Sequence, residues 1–244
     1  MYPRYIREII TGRIGSGKAI IITGPRQVGK TTLIESILDS NEYLLLDGDD
    51  PKTRTLLTES NTEQIKSILG NFKFVFIDEA QRIEGIGITM KIITDRLKNV
   101  QLFASGSSSF DLTSKINEPL TGRKWEYQLF PISWEEYEMH HGYLHSEQQL
   151  ENRLLFGMYP DVLNNPKDEI NILRNLVSSY LYKDILSYAE IRKPEVLEKL
   201  VQALALQVGS EVNYSELAQI VNIDKNTVSK YIDILQKGYI VDPY

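Results

Sequence analysis

Short apolar runs alternate with longer segments in which apolar residues recur every three or four positions. Ile20 to Ile22 form the first run, and a helical pattern follows from Thr32 through Leu38. Further runs predict strands at residues 43–46, 72–79, 100–104 and 125–129, and helical periods predict helices at residues 5–14, 88–98, 148–156 and 169–188. The run FKFVFIDE is apolar without alternation, which indicates a strand buried on both faces. The pattern therefore predicts an α/β fold with a parallel sheet covered by helices.

The segment between the first strand and its helix reads GPRQVGKT, residues 24–31. Glycines at both ends allow successive backbone N–H groups to turn inward around a polyphosphate, and a helix N-terminus adds partial positive charge. The lysine is spaced to reach the β and γ phosphates, and the threonine hydroxyl can bind Mg²⁺. The predicted nucleotide-binding residues here are Gly24, Pro25, Arg26, Gln27, Val28, Gly29, Lys30, Thr31 and Thr32.

A second glycine-rich segment, GRIGSGK at residues 12–18, fits the first seven places of the same pattern. Ala19 stands where the magnesium-binding hydroxyl belongs, and a strand follows instead of a helix. We therefore predict a connecting loop for this segment.

Two carboxylates, Asp78 and Glu79, end the strand of residues 72–79. Ligands of open α/β sheets bind at the carboxyl edge of the strands, so this pair is predicted to lie beside the phosphate loop. Asp78 is the predicted magnesium residue together with Thr31, and Glu79 is the predicted base for an attacking water. A kinase for small molecules fits this pair less well, because adjacent carboxylates suit water activation.

Other polar residues follow the remaining strands. The serines of residues 105–109 could report a γ-phosphate, or they could simply form a loop. The acids of residues 47–50 favour caps and a turn, with Asp50 as N-cap and Pro51 as the first helical residue, although one of them could face the site.

The phosphate loop, the segments FVFIDEAQR and SGSSS, and the sequences at residues 120–123, 129–133 and 157–160 together resemble prokaryotic AAA+ superfamily ATPases of the archaeal-ATPase type. The resemblance implies ATP as substrate, ADP as product, Mg²⁺ as cofactor, and Lys30 and Glu79 as catalytic residues. It implies a γ-phosphate sensor at Ser105 or Ser107, of which Ser107 is our choice. It also implies a catalytic arginine at Arg123, acting in its own or a neighbouring subunit.

Two of these assignments have a plainer alternative. Arg123 could be a surface arginine paired with Glu126. The step at Tyr159 and Pro160 resembles the way related ATPases clamp adenine, with Pro160 contacting the nucleotide, but it could equally be a turn that ends a helix.

The resemblance implies a lid after the nucleotide domain, so the predicted domains are a P-loop NTPase core at residues 1–140, a helical lid at 141–193 and a winged-helix-like domain at 194–244. In the last of these, a short helix at residues 214–220 and a second helix at 225–236 are joined by a tight turn, and Val228, Tyr231, Ile232 and Leu235 form the predicted buried face. The chain ends where a wing hairpin would begin, so we expect a truncated domain.

Charge and composition limit the partners. Residues 211–244 carry three lysines against five acids, a net charge of −2, whereas duplex DNA requires a basic surface. The partner of this domain is therefore left open between DNA and protein. The 244 residues include no cysteine and carry a net charge of −6. No run approaches the roughly 20 apolar residues of a membrane span, and the first residues lack the apolar core of a signal peptide, so we expect a cytoplasmic protein without membrane contact.

Two functions are predicted. The first is an ATPase that couples nucleotide state to the winged-helix module, with oligomerisation possible through Arg123. The alternative is a slow nucleotide-dependent switch whose output is DNA or protein binding. A metal site at His140, His141 and His145 is rejected in favour of a solvated helix end, because adjacent histidines on a helix point in different directions.

Overall fold

Five strands form the predicted sheet, each parallel to its neighbours, in the order β2-β3-β4-β1-β5. They are β1 (Ala19–Thr23), β2 (Tyr43–Asp47), β3 (Phe74–Asp78), β4 (Gln101–Gly106) and β5 (Lys124–Gln128). All five coincide with a predicted strand to within two residues. The structure is a computed structural model that describes residues 1–106, 116–179 and 194–241.

Helices connect and follow the strands. Within the described residues they are α1 (Ile6–Thr11), α2 (Lys30–Leu38), α3 (Pro51–Leu57), α4 (Thr62–Leu69), α5 (Ile86–Arg96), α6 (Trp134–His141), α7 (Tyr143–Phe156), α8 (Pro160–Asn164), α9 (Glu169–Ser179), α10 (Pro194–Ala205), α11 (Tyr214–Val221) and α12 (Lys225–Lys237). The segment of residues 12–18 is a loop, as predicted.

The three central strands, β1, β3 and β4, are buried on both faces, whereas β2 and β5 at the edges of the sheet are partly exposed. Ile21 of β1 belongs to the core under α3, α4 and α5, whereas its neighbours Ile20 and Ile22 belong to the core under α1 and α2. Successive side chains of a strand point to opposite faces, so a strand covered on both sides must be apolar at every position. This is the physical reason for the continuous apolar runs in the sequence.

Short polar sequences set where helices begin. Asp50 caps α3 by accepting from the backbone N–H groups of Lys52 and Thr53, with Pro51 at the first helical position, as predicted. The same strategy starts α4, which comes in addition to the predicted helices and has a capping box built by Asn61 and Gln64.

The chain divides into two compact units, Met1–Ile170 and Asn171–Tyr244, and the boundary falls within α9. In the second unit, α11 and α12 pack through the predicted residues Val228, Tyr231, Ile232 and Leu235. Its described parts, residues 171–179 and 194–241, contain helices and no strand. The wing and the three-part division into core, lid and winged helix stay predictions.

Candidate nucleotide-binding site

The loop between β1 and α2 turns tightly against the end of β5. A β-carbon on Gly24, whose φ is +147°, would stand 2.1 Å from the carbonyl oxygen of Leu129. At the other end of the loop, Gly29 has a φ of +92° and precedes the first residue of α2. Both positions therefore require glycine, one for space and the other for its left-handed backbone.

Lys30 is the first residue of α2, and its side chain lies across this loop. Its ammonium group donates to the carbonyl oxygens of Gly24 at 2.9 Å and Pro25 at 2.7 Å, and the residue is only 6% exposed. A buried ammonium group close to the N-terminus of a helix produces a local positive potential, which favours an anionic ligand.

Thr31 meets Asp78 at the carboxyl edge of the sheet. The threonine Oγ1 donates to Oδ2 of Asp78 at 2.8 Å, although 47 residues separate them in the chain. The other carboxylate oxygen accepts from the backbone N–H of Glu79 at 3.0 Å and from the hydroxyl of Ser105. The structure thus brings the two predicted magnesium residues into contact and fixes the carboxylate through Ser105 of β4.

Glu79 has an unusual backbone. Its φ of 46° and ψ of 42° place it in the left-handed region, which a residue with a β-carbon seldom adopts. A β-carbon on Gly48 would stand 2.4 Å from the Glu79 carbonyl oxygen, so the chain after β2 packs closely on this turn. The Glu79 carboxylate accepts from the side-chain amide of Gln81, which is buried.

The acids after β2 form the predicted turn and cap. Asp47 accepts from the backbone N–H of Asp49, and Asp49 forms an ion pair with Arg82 at 2.6 Å. With Asp50 capping α3, each of these carboxylates has a local structural partner.

Arg123 lies at the opposite edge of the sheet. Its carbonyl oxygen accepts from the N–H of Ala19, the first residue of β1, whereas the phosphate loop follows the last residue of that strand. Five residues of strand separate the two edges by on the order of 13 Å. The guanidinium pairs with Asp95 at 2.7 Å and holds the pKa of that carboxyl below its usual range. The alternative partner considered above, Glu126, pairs instead with Lys124.

Two further predicted residues are Pro160 and Ser107. Pro160 is the first residue of α8, and Tyr159 before it packs against the core that contains Val28 and Leu129. Burial raises the pKa of Tyr159. Ser107 lies outside the described residues, whereas Ser105 is the serine that contacts Asp78.

A cavity of about 1010 Å³ borders the phosphate-loop helix. Thr32, Glu35 and Ser36 of α2 form one wall, and the segment before α1, including Tyr2 and Tyr5, forms the other. The predicted binding residue Thr32 therefore faces space that the N-terminal segment encloses. The sequence did not predict that this segment borders the phosphate-loop helix, because its aromatic residues lie about 20 to 30 positions before that helix and form no motif with it.

His140, His141 and His145 lie at exposed positions around the junction of α6 and α7, as predicted. His141 stacks on His145, and Tyr2 contacts its Nε2 at 3.1 Å. Partial burial, followed by the neighbouring His140 and His145, lowers the pKa of His141. Among the residues that the structure describes, no group of three or more histidine, cysteine, aspartate or glutamate side chains is arranged to hold a metal ion.

Comparison with known proteins places this geometry in a family. Residues 16–138, half of the chain, match the model of the AAA domain. The chain belongs to the AAA domain family. Residues 147–244 match a second model, described as a domain of unknown function. The AAA domain thus contains the phosphate loop, the Asp78 and Glu79 pair and all five strands.

Full-length relatives of this AAA protein are distant. An uncharacterized protein of Haemophilus influenzae is 25% identical over 96% of the chain, and one of Methanocaldococcus jannaschii is 22% identical over 98%. The alignments cover 60% and 59% of these two relatives, so the chain spans less than two thirds of their length.

A solved structure has the same fold. The Walker-type ATPase PABY2304 of Pyrococcus abyssi matches with a TM-score of 0.65 and 16% identity, covering 97% of this chain and 89% of that one. The fold of this structure thus agrees with the match to the AAA domain. No helix among the described residues is long and apolar enough to cross a membrane.

Proposed function

We propose that this AAA protein binds ATP with Mg²⁺ and hydrolyses it to ADP and phosphate. The observation that carries the proposal is the contact of Thr31 with Asp78, one residue from Lys30 and one residue from Glu79. This contact brings Thr31 and Asp78 together at one sheet edge, which supports roles for Lys30 in binding phosphate, for Thr31 and Asp78 in binding the metal, and for Glu79 as the base.

The residues at this edge fit a hard divalent cation. The hydroxyl of Thr31 and the carboxylate of Asp78 are oxygen donors 2.8 Å apart, and Mg²⁺ in phosphate sites is bound through one or two such groups together with the phosphates. Bound there, Mg²⁺ supplies positive charge that offsets the charge of the phosphate oxygens. Ser105 and the N–H of Glu79 keep the carboxylate oriented for this role.

Each remaining residue has one task in the reaction. The amides of the loop and Lys30 bind the β and γ phosphates. Glu79 accepts a proton from a water whose oxygen forms a bond to the γ-phosphorus, while the bond from that phosphorus to the β–γ bridging oxygen breaks and ADP leaves. The buried amide of Gln81 holds the carboxylate of Glu79 on its other oxygen.

The cavity beside Thr32 supports a place for the base of the nucleotide. Its tyrosines Tyr2 and Tyr5 offer aromatic surface for stacking, and Thr32 directly follows the residues that bind phosphate and metal. In this arrangement the N-terminal segment contacts the base.

The test compares nucleotide binding with turnover in two variants. Lys30→Ala is expected to abolish ATP binding, because the ammonium group is the main cation of the loop. Glu79→Gln is expected to bind ATP as wild type does and to lose turnover by about a hundredfold or more, the usual contribution of a general base. Glu84→Gln, an exposed acid nearby, is the control and should hydrolyse ATP normally. Turnover of Glu79→Gln at the wild-type rate would refute the assigned base.

The second candidate is a switch that uses nucleotide to control binding through the C-terminal unit. It is favoured by the surface of α12, where Asn226, Ser229 and Lys230 are exposed beside the packed pair α11 and α12. Negligible turnover combined with a change in affinity for duplex DNA or a protein on adding ATP would favour this function over hydrolysis. If the protein is instead an ATPase that couples its two units, the same change in affinity would appear together with measurable turnover.

A further inference from the structure

Arg4 is a buried arginine that joins distant parts of the first unit. Its side chain is 7% exposed. One terminal nitrogen, Nη1, donates to the carbonyl oxygen of Val28 in the phosphate loop at 3.0 Å, and the other, Nη2, donates to the carbonyl oxygen of Phe130 at 2.6 Å. The guanidinium of the fourth residue thus contacts the backbone of the phosphate loop at Val28.

Glu136 completes this arrangement. Its Oε2 lies 3.1 Å from Nε of Arg4, and the carboxylate is 8% exposed. Its Oε1 accepts from the N–H of Tyr5, and Oε2 also accepts from the N–H of Ser133 in the capping box of α6. Arg4 and Glu136 therefore connect the N-terminal segment, the phosphate loop and the start of α6.

Stability alone does not account for a charged pair in this position. Taking both charges out of water is costly, and apolar residues of similar volume often replace a buried ion pair without loss of stability. An apolar residue, however, cannot donate to the two carbonyl oxygens that the planar guanidinium reaches at once.

The contact with Val28 determines how the loop presents an N–H group. The peptide unit between Val28 and Gly29 is planar and trans, so its carbonyl and its N–H point in opposite directions. Because the Val28 carbonyl points to Arg4, the N–H of Gly29 points in the opposite direction, away from Arg4. Gly29 has no β-carbon to restrict this peptide, so an external hydrogen bond is needed to keep one orientation.

We propose that Arg4, held by Glu136, is a positioning residue that pre-orients the Val28–Gly29 peptide of the phosphate loop for nucleotide phosphate. The role rests on the proposed function, since it assigns a task to the loop in binding ATP. Arg4 also borders the cavity beside Thr32, so the segment that would contact the base and the loop that would contact the phosphates share one anchor.

The experiment removes the charge pair while keeping its volume. In the double variant Arg4→Met, Glu136→Gln, both buried charges are removed together, so neither is left unpaired, and the glutamine oxygen can still accept from the backbone in the capping box. Thermal unfolding should stay within a few degrees of wild type, whereas the Kd for ATP, measured by displacement of a fluorescent ATP analogue, should rise about tenfold or more through loss of the oriented loop amide. Turnover at saturating ATP should stay within about twofold, because Glu79 is untouched, so the change appears in KM.

Gln101→Leu is the matched control. Gln101 is also buried and also anchors a glycine-rich loop, accepting from the N–H of Gly15 and donating to the carbonyl of Lys18, but at the opposite edge of the sheet. This variant should leave the Kd for ATP unchanged.

A folded double variant with wild-type affinity for ATP would overturn the proposal. Should the double variant fail to fold, Arg4→Lys decides, because it keeps a positive charge near Glu136 but lacks the planar guanidinium whose separate nitrogens reach Val28, Phe130 and Glu136 at once; wild-type affinity in Arg4→Lys would equally overturn the role. Failure of the proposed function itself is recognised separately, since wild type would then bind no ATP or Lys30→Ala would bind it normally.

Discussion

A β-carbon on Gly24 would approach the Leu129 carbonyl oxygen to 2.1 Å, well inside van der Waals contact. The backbone oxygen cannot move without disturbing the end of β5, because the N–H of Leu129 is bonded to the carbonyl of Thr23 at 2.8 Å. The clash therefore falls on the loop that would bind phosphate.

We expect Gly24→Ala to lower the free energy of unfolding by roughly 1–3 kcal/mol, as overpacking of a tight site does, and to abolish ATP binding. Denaturant unfolding and nucleotide titration measure the two effects. Gly15→Ala separates the clash from backbone strain, since Gly15 has a φ of +79° but nothing within 4 Å of the added carbon. If Gly24→Ala and Gly15→Ala have the same free energy of unfolding, the clash at Gly24 adds no cost to the backbone strain, and the prediction is wrong.

Residues of the phosphate loop and the acidic pair could be predicted from sequence because their spacing is local. Lys30 and Thr31 are set by the glycines before them, and Asp78 and Glu79 by the strand that ends there. The sequence did not assign Gln81 and Ser105 a definite role in the site, because glutamine and serine are common wherever loops begin. Only the folded chain shows that both bond to the acidic pair.

At the scale of elements, the N-terminal segment and the junction of α6 and α7 depend on each other. Tyr2 contacts His141 by its hydroxyl and stacks on Tyr137 of α6. His140 and His145 flank His141 at ring-centroid distances of 4.7 and 4.8 Å. Protonating rings at this spacing adds like charges, which repel.

This cluster predicts an acid-sensitive stability. The pKa of His141 is lowered in the folded protein, so between that value and the ordinary value of about 6.5 the unfolded chain binds more protons. Its contribution to stability is therefore present above about pH 6.5 and is lost as the pH falls through the lowered pKa. Thermal midpoints measured from pH 7.5 to 5.5 should fall with acidification, and His141→Gln should fall less steeply. Parallel profiles for the two proteins would exclude a contribution from His141.

Short elements were the hardest to predict. The central strands β1, β3 and β4 came from largely apolar runs, which burial on both faces of a parallel sheet enforces. By contrast, α4 has only eight residues, and its two buried side chains, Ile65 and Leu69, are too few to establish a period. Its start is determined by the cap at Asn61, a local signal that is recognisable once the helix is known.

At the scale of the whole molecule, the position of Arg123 determines whether it can act on a nucleotide in its own copy of the chain or only in a neighbouring copy. The guanidinium lies at the amino edge of the sheet, paired with Asp95, while Asp78 and Glu79 lie at the carboxyl edge. An arginine there cannot reach a nucleotide bound to the same copy, so any catalytic role for Arg123 requires a neighbouring copy.

A mixing experiment tests this role. If Arg123 acts across an interface, Arg123→Ala should lose turnover by about a thousandfold, the usual effect of removing an arginine finger, and Arg96→Ala should not. Mixing Arg123→Ala with Glu79→Gln should then restore part of the activity, because some interfaces combine an intact Arg123 with an intact Glu79. Normal turnover of Arg123→Ala would leave the residue with its ion pair to Asp95 as its only role.

The sequence by itself determined the strands, the phosphate loop, the acidic pair and the caps, since each depends on residues within a few positions of one another and on periods that burial imposes. Tertiary structure alone decided which distant groups meet. Arg4 reaches Val28, Phe130 and Glu136 across 24 to 132 positions of chain, and Arg123 lies at the far edge of the sheet from the acids with which its motif is associated. Single hydrogen bonds and ion pairs of this kind require only one donor and one acceptor, so they leave no repeating pattern in the sequence, and their partners follow from how the helices pack on the sheet.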